Sequence, residues 1–306
     1  FLISEEIKEI SEGKNLFPLI VNIKNYEKVD SIIQKFKPDV IYHAAAYKHV
    51  PILEDKNNYK EALENNFFAT CNLVDAAIKN NVEKFIFIST DKAVRPTNIM
   101  GSSKRMAELY IQTKSSDSKK TIFSSVRFGN VMNSSGSVIP IFRRQIKNGG
   151  PLTVTHPEII RYFMTIGEAA YLVIISSIIS SSSQVYMLKM GDPVKILDIA
   201  KKMIRLSGNV IKDEKNKEGI EINFTGLRPG EKLYEELLVN EDDVKTDHPK
   251  IFIDTSSKKI PLDEFNQIKA KIKNDISIDN LPGLKATLKK YADYQTDNVS
   301  VLDLDS

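Results

Sequence analysis

Short apolar runs and longer amphipathic segments alternate along the first half of the chain. The apolar runs, which predict strands, are Phe17–Val21, Asp39–His43, Lys84–Ser89 and Thr121–Gly129. The segments between them with apolar residues at helical spacing are Tyr26–Phe36, Tyr59–Lys79 and Asn98–Thr113. The run at Lys84–Ser89 is apolar almost throughout, as in a strand buried on both faces of a parallel sheet. This order predicts an α/β fold with a doubly wound parallel sheet.

The second half of the chain is richer in glycine and proline, and its predicted elements are shorter. They are helices at Gly167–Ile179 and Ile196–Ser207, strands at Val185–Met190 and Glu221–Phe224, and a Lys-rich helical tail from Phe265 onward. We therefore predict two domains, at residues 1–150 and 151–306. The second is mainly a smaller α+β module, with some of its chain returning to the first domain.

The composition is that of a water-soluble globular chain of 306 residues, with 42% hydrophobic and 27% charged residues. The 43 basic and 40 acidic residues leave a net charge of only +3, so no nucleic-acid partner is predicted. The single cysteine, Cys71, excludes an intrachain disulfide, and the four histidines lack metal-ligand spacing, so no metal is predicted. No apolar run approaches the ~18–20 residues of a membrane helix. We expect this segment to be cytoplasmic, without membrane contact.

Small and polar residues follow three of the predicted strands, at the sheet edge where open α/β sheets bind ligands. Ala44-Ala45-Ala46 would let a flat or phosphorylated ligand approach the backbone closely. Ser89-Thr90-Asp91-Lys92 offers a hydroxyl, a carboxylate and an ammonium for acid–base chemistry. Arg127-Phe128-Gly129-Asn130 is the third segment. The alternatives are a tight turn at the alanines, and a capping aspartate beside a solvated lysine at Asp91-Lys92.

Two further segments carry residues suited to a nucleotide ligand. Lys104 lies one helical turn after Met100, where its charge would reach a ribose or lower the pKa of a neighbouring acid. Arg228 is held in a turn by Pro229-Gly230 and suits bidentate binding of a diphosphate. Taken alone, an exposed helical lysine and a surface arginine explain both positions. The order of all these segments along the chain is more specific than any one of them.

That order resembles the extended short-chain dehydrogenase/reductase superfamily. More closely, it is similar to bacterial nucleotide-sugar 4,6-dehydratases that act on UDP-N-acetylglucosamine. The motifs are Ala44–Pro51, Asn66–Thr70, Ser89–Ala93, Pro96–Gly101, Arg127–Asn130, Ser134–Ser137, Thr155–Pro157, Arg161–Thr165 and Arg228–Lys232. Thr155–Pro157 and Arg161–Thr165 resemble the longer, membrane-attached branch that serves polysaccharide and protein glycosylation. The resemblance implies that residues 1–150 form a Rossmann-like NAD-binding domain and that residues 151–306 bind the nucleotide sugar.

The resemblance also implies a reaction and its catalytic residues. NAD oxidises C4 of the sugar, water is lost across C5 and C6, and the hydride returns to C6. Thr90 would bind the C4 oxygen, Asp91 would be the general acid and Lys92 the base at C5. Lys92 must then be neutral, with a pKa lowered by burial or by a cation such as Lys104. Met100 stands where the superfamily usually has tyrosine, so the C4 hydroxyl proton would pass to Asp91, Lys92 or water.

Binding residues follow from the same resemblance. The expected cofactor-binding residues are Asn22, Ala44, Ala45, Ala46, Asn66, Ser89 and Lys104. The expected UDP-sugar-binding residues are Lys48, Asn130, Ser137, Gln145, Arg161, Lys195, Arg228 and Glu231. The helices at Tyr59–Lys79 and Asn98–Thr113 are expected to form a dimer interface, and hence a homo-oligomer.

One family feature is missing from the sequence. The superfamily has a glycine-rich dinucleotide turn after its first strand, but the single glycine before residue 100 is Gly13. We expect that turn, and membrane helices that anchor the whole protein to the inner membrane with this domain in the cytoplasm, to lie upstream. The alternatives are a dehydratase that inverts C5, a 4-epimerase, and a non-catalytic protein that binds nucleotide sugars.

Overall fold

The computed structural model describes residues 2–11, 15–116, 118, 120–235, 243–256 and 260–295. Its helices, α1 to α11 in chain order, are Leu2–Ser11, Tyr26–Phe36, Val50–Leu53, Tyr59–Ala62, Ala69–Lys79, Ile99–Ser115, Val138–Lys147, Ile166–Ile179, Ile196–Leu206, Leu262–Ser277 and Leu281–Tyr291. Its strands, β1 to β11, are Val40–His43, Lys84–Ile88, Ile122–Arg127, Asn130–Val131, Leu152–Val154, Ile160–Met164, Gln184–Leu188, Pro193–Lys195, Ile222–Phe224, Val244–Lys245 and Ile251–Ile253.

The predicted α/β fold is confirmed by a six-stranded sheet in the order β1-β2-β3-β7-β11-β10. The first four strands are parallel, and β11 and β10 complete the sheet in antiparallel pairs. Phe85 and Phe87 of β2 are buried on one face and Ile86 on the other, as the apolar run at Lys84–Ser89 predicts. Two smaller sheets, β4-β6-β8 and β5-β9, lie outside this one.

Helices cover both faces of the large sheet. On one face α2, α5, α6, α10 and α11 share a core with Phe85, Phe87 and Phe123. On the other face, α8 packs Leu172 and Val173 against the sheet. A third core joins α7 and α9 to β5. The predicted boundary at residue 150 does not separate these cores cleanly. Three strands from beyond it, β7, β10 and β11, belong to the large sheet, whereas α7, which precedes it, packs with the later elements. The domain division stays a prediction.

The predicted helices at Tyr26–Phe36 and Asn98–Thr113 are confirmed, and polar side chains begin both of them. Asn25 caps α2 by accepting from the backbone N–H of Lys28. Asn98 caps α6 through a 2.7 Å hydrogen bond from the N–H of Gly101 to its Oδ1. The predicted helix at Tyr59–Lys79 is continuous, but it contains a π-helical turn at Leu63–Phe68.

The strand prediction at Phe17–Val21 is wrong. These residues form no regular element, and the side chains of Phe17 and Ile20 are exposed. A strand needs a neighbour that pairs with its backbone, and within the described residues β1 pairs with β2 alone. Phe17 instead stacks on Phe36, with ring centroids 5.1 Å apart.

The expected dimer face of α5 and α6 is packed by the same chain. Phe265 of α10 lies 6.2 Å from Phe67 and 5.4 Å from Tyr110, measured between ring centroids. Ile268 and Ile272 of α10 are buried in the same core. In this structure α10 therefore packs against α6 and the π-helical turn before α5, and a homo-oligomer stays a prediction. None of the described helices is long and apolar enough to cross a bilayer.

Candidate active site

A cavity of about 470 Å³ opens at the carboxyl ends of β1, β2 and β3. The three strand-end segments meet there because parallel strands end at one edge of their sheet. The sequence-predicted residues that line this cavity are Ala44, Ala46, Lys48, Ser89, Thr90, Lys92, Met100, Lys104, Asn130, Ser137, Arg161, Arg228 and Glu231. The fold thus collects residues from both halves of the chain around one cleft.

The acid–base residues form a buried cluster on the wall of the cavity. Thr90 accepts from the N–H of Lys92 and donates its hydroxyl proton to Asp91 Oδ1 at 2.9 Å. The Lys92 ammonium lies 3.0 Å from Asp91 Oδ1 and 2.8 Å from Glu235 Oε1. Asp91 lies behind Thr90 and Lys92 and does not line the cavity itself. Lys92 is therefore held between two carboxylates.

Glu235 is a site residue that the sequence reasoning missed. It follows the Arg228–Lys232 motif, outside any helix or strand, and nothing in its spacing distinguishes it. Its Oε1 also lies 3.1 Å from Arg161 Nε, and its Oε2 accepts a 2.8 Å hydrogen bond from Asn130 Nδ2. It thereby joins two predicted sugar-binding residues to Lys92.

The pKa of Lys92 is opposite to the expectation. Burial acts to lower the pKa of Lys92, but the charges of Asp91 and Glu235 outweigh it and raise that pKa above its usual value. The expected lowering is therefore wrong, because the charges that act on Lys92 are carboxylates. Burial acts to raise the pKa of Asp91, but the Lys92 charge and hydrogen bonds outweigh it, so the pKa of Asp91 lies below its usual value. Burial raises the pKa of Glu235.

Of the two lysines discussed, Lys104 is the one whose pKa is lowered. It is 4% exposed, and burial lowers its pKa to about 7. Its Nζ lies 3.9 Å from the centroid of the Phe87 ring, and no hydrogen-bond acceptor contacts it within the part of the chain that the structure describes. Ser89, beside it on the cavity wall, donates a 2.6 Å hydrogen bond to Glu108.

The alanine segment is held in place by Asn66. Asn66 is fully buried in the π-helical turn and bonds both backbone groups of Tyr47, accepting from its N–H at 2.8 Å and donating to its carbonyl at 2.9 Å. Asn66 does not line the cavity itself. It fixes the loop that carries Ala44 and Ala46, which do. A wall of small side chains with one buried cation fits the flat, oxygen-rich groups of a dinucleotide.

The opposite wall carries predicted sugar-binding residues. The hydroxyl oxygen of Ser137 is buried at the cavity and has no hydrogen-bond partner among residues whose placement is described. Arg161 lies 3.4 Å from Glu231 Oε1, and the N–H of Arg228 donates to Glu231 Oε2 at 3.1 Å. An unsatisfied hydroxyl beside two arginines suits a polar, phosphorylated ligand.

Six predicted residues do not line the cavity: Asp91 and Asn66, described above, and Asn22, Gln145, Lys195 and Ala45. Asn22 is exposed and uses its side chain to accept from the N–H of Lys24. Gln145 uses both ends of its amide on Thr153, which ties α7 to β5. Lys195 is exposed and pairs with Glu158 at 2.7 Å, and Ala45 is exposed between two lining alanines. The family resemblance implied a binding role for the last four of these residues, but Asn22, Gln145 and Lys195 use their side chains on local partners instead.

The third strand-end segment has two separate roles. Gly129 and Asn130 line the cavity, whereas Arg127 is buried beneath it. Arg127 donates from Nε and Nη2 to Glu108 at 2.8 and 2.6 Å, and from Nη1 to Asp254 at 2.7 Å. Arg127 is therefore a structural residue that supports the floor of the site.

Gly101 brings the start of α6 against Lys92. A Cβ atom at Gly101 would overlap the carbonyl oxygen of Lys92, so Gly101→Ala must displace the segment that carries the acid–base residues. We expect a loss of about 1–3 kcal/mol in the free energy of unfolding and a lower turnover. The matched control is Gly167→Ala in the first turn of α8, where an added Cβ has no neighbour within 4 Å. Equal urea midpoints for the two variants would contradict this packing.

Comparison with known proteins identifies the family. A family model described as "Polysaccharide biosynthesis protein" matches residues 1–256. The chain belongs to this polysaccharide biosynthesis protein family. The capsular polysaccharide biosynthesis protein CapD of Staphylococcus aureus is 51% identical over 233 residues, 76% of this chain and 37% of CapD. A relative named UDP-glucose 4-epimerase, from Rickettsia rickettsii (strain Sheila Smith), is 35% identical over 246 residues, 80% of this chain and 67% of that protein.

Comparison with solved structures confirms the Rossmann-like fold. Pen from Bacillus thuringiensis aligns with a TM-score of 0.69 and 37% identity, covering 84% of this chain and 76% of Pen. The UDP-glucose 4-epimerase of Thermus thermophilus, solved with NAD, aligns with a TM-score of 0.59 and 20% identity, covering 69% of this chain and 72% of the epimerase. The chain spans 37% of the length of CapD, so it corresponds to part of that relative.

Proposed function

We propose that this protein modifies a nucleotide sugar in polysaccharide biosynthesis, and that its reaction is the dehydration of UDP-N-acetylglucosamine to a UDP-4-keto-6-deoxy sugar. The observation that carries the proposal is the Lys92 ammonium between Asp91 and Glu235, beside Thr90, on the wall of the cavity. Removal of water across C5 and C6 needs an acid and a base at these carbons. A reaction confined to C4 needs no acid or base at C5 and C6.

The cofactor proposed for the site is NAD, and the small residues and buried cation of the cavity support it. Ala44, Ala46 and Ser89 would face it, and Lys104 would bind its ribose. When bound there, NAD would supply the hydride acceptor for sugar C4 and the hydride source for C6. The residues of this chain hold the sugar, exclude water and move the protons.

Asp91 is suited to move the C4 hydroxyl proton to the leaving group. Met100 is 5% exposed and carries no proton-transfer group, so the proton needs another acceptor. The pKa of Asp91 is lowered, and it therefore enters the reaction as a carboxylate that receives this proton. Thr90, hydrogen bonded to Asp91, connects it to the cavity. Protonated Asp91 then returns this proton through the Thr90 hydroxyl to the C6 hydroxyl, which leaves as water.

The nucleotide part of the substrate is proposed to lie on the arginine wall. Arg161 and Arg228 line the cavity, and guanidinium groups bind phosphate oxygens through paired hydrogen bonds. Ser137 would satisfy its free hydroxyl on the sugar or phosphate. Lys48, exposed at the rim, adds a positive charge there.

The second candidate is 4-epimerisation, which the 35% identity to a protein named UDP-glucose 4-epimerase favours. Such a reaction would use Thr90 and the cofactor wall but leave Lys92 and Glu235 without a role. The position of Lys92 between two carboxylates therefore favours dehydration. A homo-oligomer, a location in the cytoplasm, and an anchor in the inner membrane supplied by other parts of the protein remain predictions.

The test uses the full-length protein as isolated with its cofactor, incubated with UDP-N-acetylglucosamine in deuterated water. NMR is expected to show a 4-keto-6-deoxy sugar with deuterium at C5, whose stereochemistry distinguishes retention from inversion. A product changed only at C4, with hydrogen retained at C5, would identify an epimerase instead. An unaltered substrate would contradict both enzymatic candidates.

A further inference from the structure

Glu235 brings a second carboxylate into the acid–base cluster. Its side chain is 4% exposed, and it reaches Lys92 from the loop that follows the Arg228–Lys232 motif. Lys92 lies in the segment that follows β2, more than 140 residues earlier in the chain. The two residues are far apart in sequence and are brought within 2.8 Å of each other by folding.

The groups around Glu235 hold it in one orientation. Its Oε1 faces two cations, with Lys92 Nζ at 2.8 Å and Arg161 Nε at 3.1 Å, and its Oε2 accepts from Asn130 at 2.8 Å. The nearby carboxylate is Asp91, which shares Lys92 with it. These are the charged groups that face Glu235 from the described elements packed against it.

The cluster presents a chemical difficulty that Glu235 resolves. An amine must be neutral to remove a proton from carbon, but the structure places Lys92 in an environment that keeps it protonated. Asp91 is needed for the proton of the C4 hydroxyl. Glu235 is the remaining carboxylate in contact with Lys92 among the described residues. Burial raises the pKa of Glu235, which makes its carboxylate a better proton acceptor.

We propose that Glu235 takes the proton of Lys92 during the reaction and returns it afterwards, so that Lys92 acts as the base at C5. The inference rests on the proposed dehydratase function and assigns to it a residue with no role in the sequence-based mechanism. Glu235 acts on the sugar only through Lys92, and it is therefore a positioning residue for the proton rather than a catalytic one.

The proton balance closes over one turnover. An N–H bond of Lys92 breaks and an O–H bond forms at Glu235 across the 2.8 Å contact, leaving a neutral amine and a neutral acid. The amine then takes the C5 proton and becomes an ammonium again. When C5 regains a proton, Lys92 supplies it and Glu235 returns its own proton to Lys92. The pair ends as it began, an ammonium and a carboxylate.

The proposal is tested with Glu235→Gln, which preserves the size of the side chain and its hydrogen-bonding oxygen but accepts no proton. In deuterated water with UDP-N-acetylglucosamine, we expect C5 exchange and water loss to fall about 10²-fold or more. Reduction of the nicotinamide, followed by its absorbance, is expected to persist, because that step does not involve C5. The matched control is Glu221→Gln, a surface residue that pairs with Lys212, which should leave both steps unchanged.

A pH profile separates proton transfer from support of the fold. In the wild type, C5 exchange is expected to fall at acidic pH as Glu235 becomes protonated. This decline lies above the range in which Asp91 titrates, because the pKa of Asp91 is lowered and that of Glu235 is raised. In Glu235→Gln the slow residual exchange should lack that decline. Carboxyl ¹³C NMR of the wild type tests the same point without turnover. The Glu235 signal, assigned by its absence from the spectrum of Glu235→Gln, should titrate above the usual glutamate range.

The outcomes distinguish the relay from the proposed function. Wild-type formation of a 4-keto sugar with undiminished C5 exchange in Glu235→Gln would overturn the relay and leave the dehydratase in place. Equal loss of nicotinamide reduction and C5 exchange would also overturn it, since that pattern indicates a role in folding or binding. A wild type that forms no 4-keto sugar would overturn both.

Discussion

Replacing Lys92 by alanine is expected to lower turnover about 10²- to 10⁴-fold, because it removes the base at C5. The same change leaves Asp91 and Glu235 as neighbouring carboxylates in a buried site, where their repulsion raises the pKa of one of them. The measurement is formation of the 4-keto sugar under saturating UDP-N-acetylglucosamine, with circular dichroism to verify folding.

Lys92→Arg distinguishes loss of the base from loss of the ion pairs. Arginine keeps the positive charge between Asp91 and Glu235, but its guanidinium is not deprotonated in proteins. We therefore expect Lys92→Arg to remain folded and still lose turnover about as severely as the alanine variant. Lys212→Ala, at an exposed lysine paired with Glu221, is the control with no expected effect. Turnover within a few-fold of wild type in Lys92→Arg would rule out Lys92 as the base.

The largest expected effect on stability comes from Glu108→Ala. Glu108 is fully buried and binds Arg127 through two hydrogen bonds of 2.8 and 2.6 Å, with Arg105 Nη1 at 3.1 Å. Removing this carboxylate takes away an anion that compensates the buried positive charges of Arg127 and Arg105. We expect the free energy of unfolding to fall by about 3–5 kcal/mol, measured by urea unfolding followed by circular dichroism.

The control for this variant is Glu61→Ala, which removes an exposed ion pair of 2.7 Å with Lys24. An exposed pair contributes about 0–1 kcal/mol, so its loss should move the urea midpoint little. Similar midpoints for both variants would show that burial does not govern the strength of these pairs. Glu108 also accepts from Ser89 on the cavity wall, and its loss should therefore weaken ligand binding as well.

Much of the fold follows from local patterns. The amphipathic spacing at Tyr26–Phe36 predicts α2 with the same ends as the structure, and the apolar run at Lys84–Ser89 predicts the buried strand β2. It was also predictable that one cleft would contain Thr90, Asn130 and Ala44, because each of them follows a parallel strand. Phe17–Val21 was not, because a strand depends on a partner that an apolar run does not reveal.

The sequence by itself determined the α/β fold, the strand-end motifs and the residue types of the acid–base cluster, because helix periodicity, buried strands and turn residues are local properties. The tertiary structure alone decided that Glu235 contacts Lys92, that Gln145 and Lys195 are bound elsewhere, and that α10 covers α6. It also decided the direction in which the pKa values of Lys92 and Lys104 are shifted. A pKa depends on burial and on charges brought close by folding, and two residues far apart in sequence carry no sign of that contact.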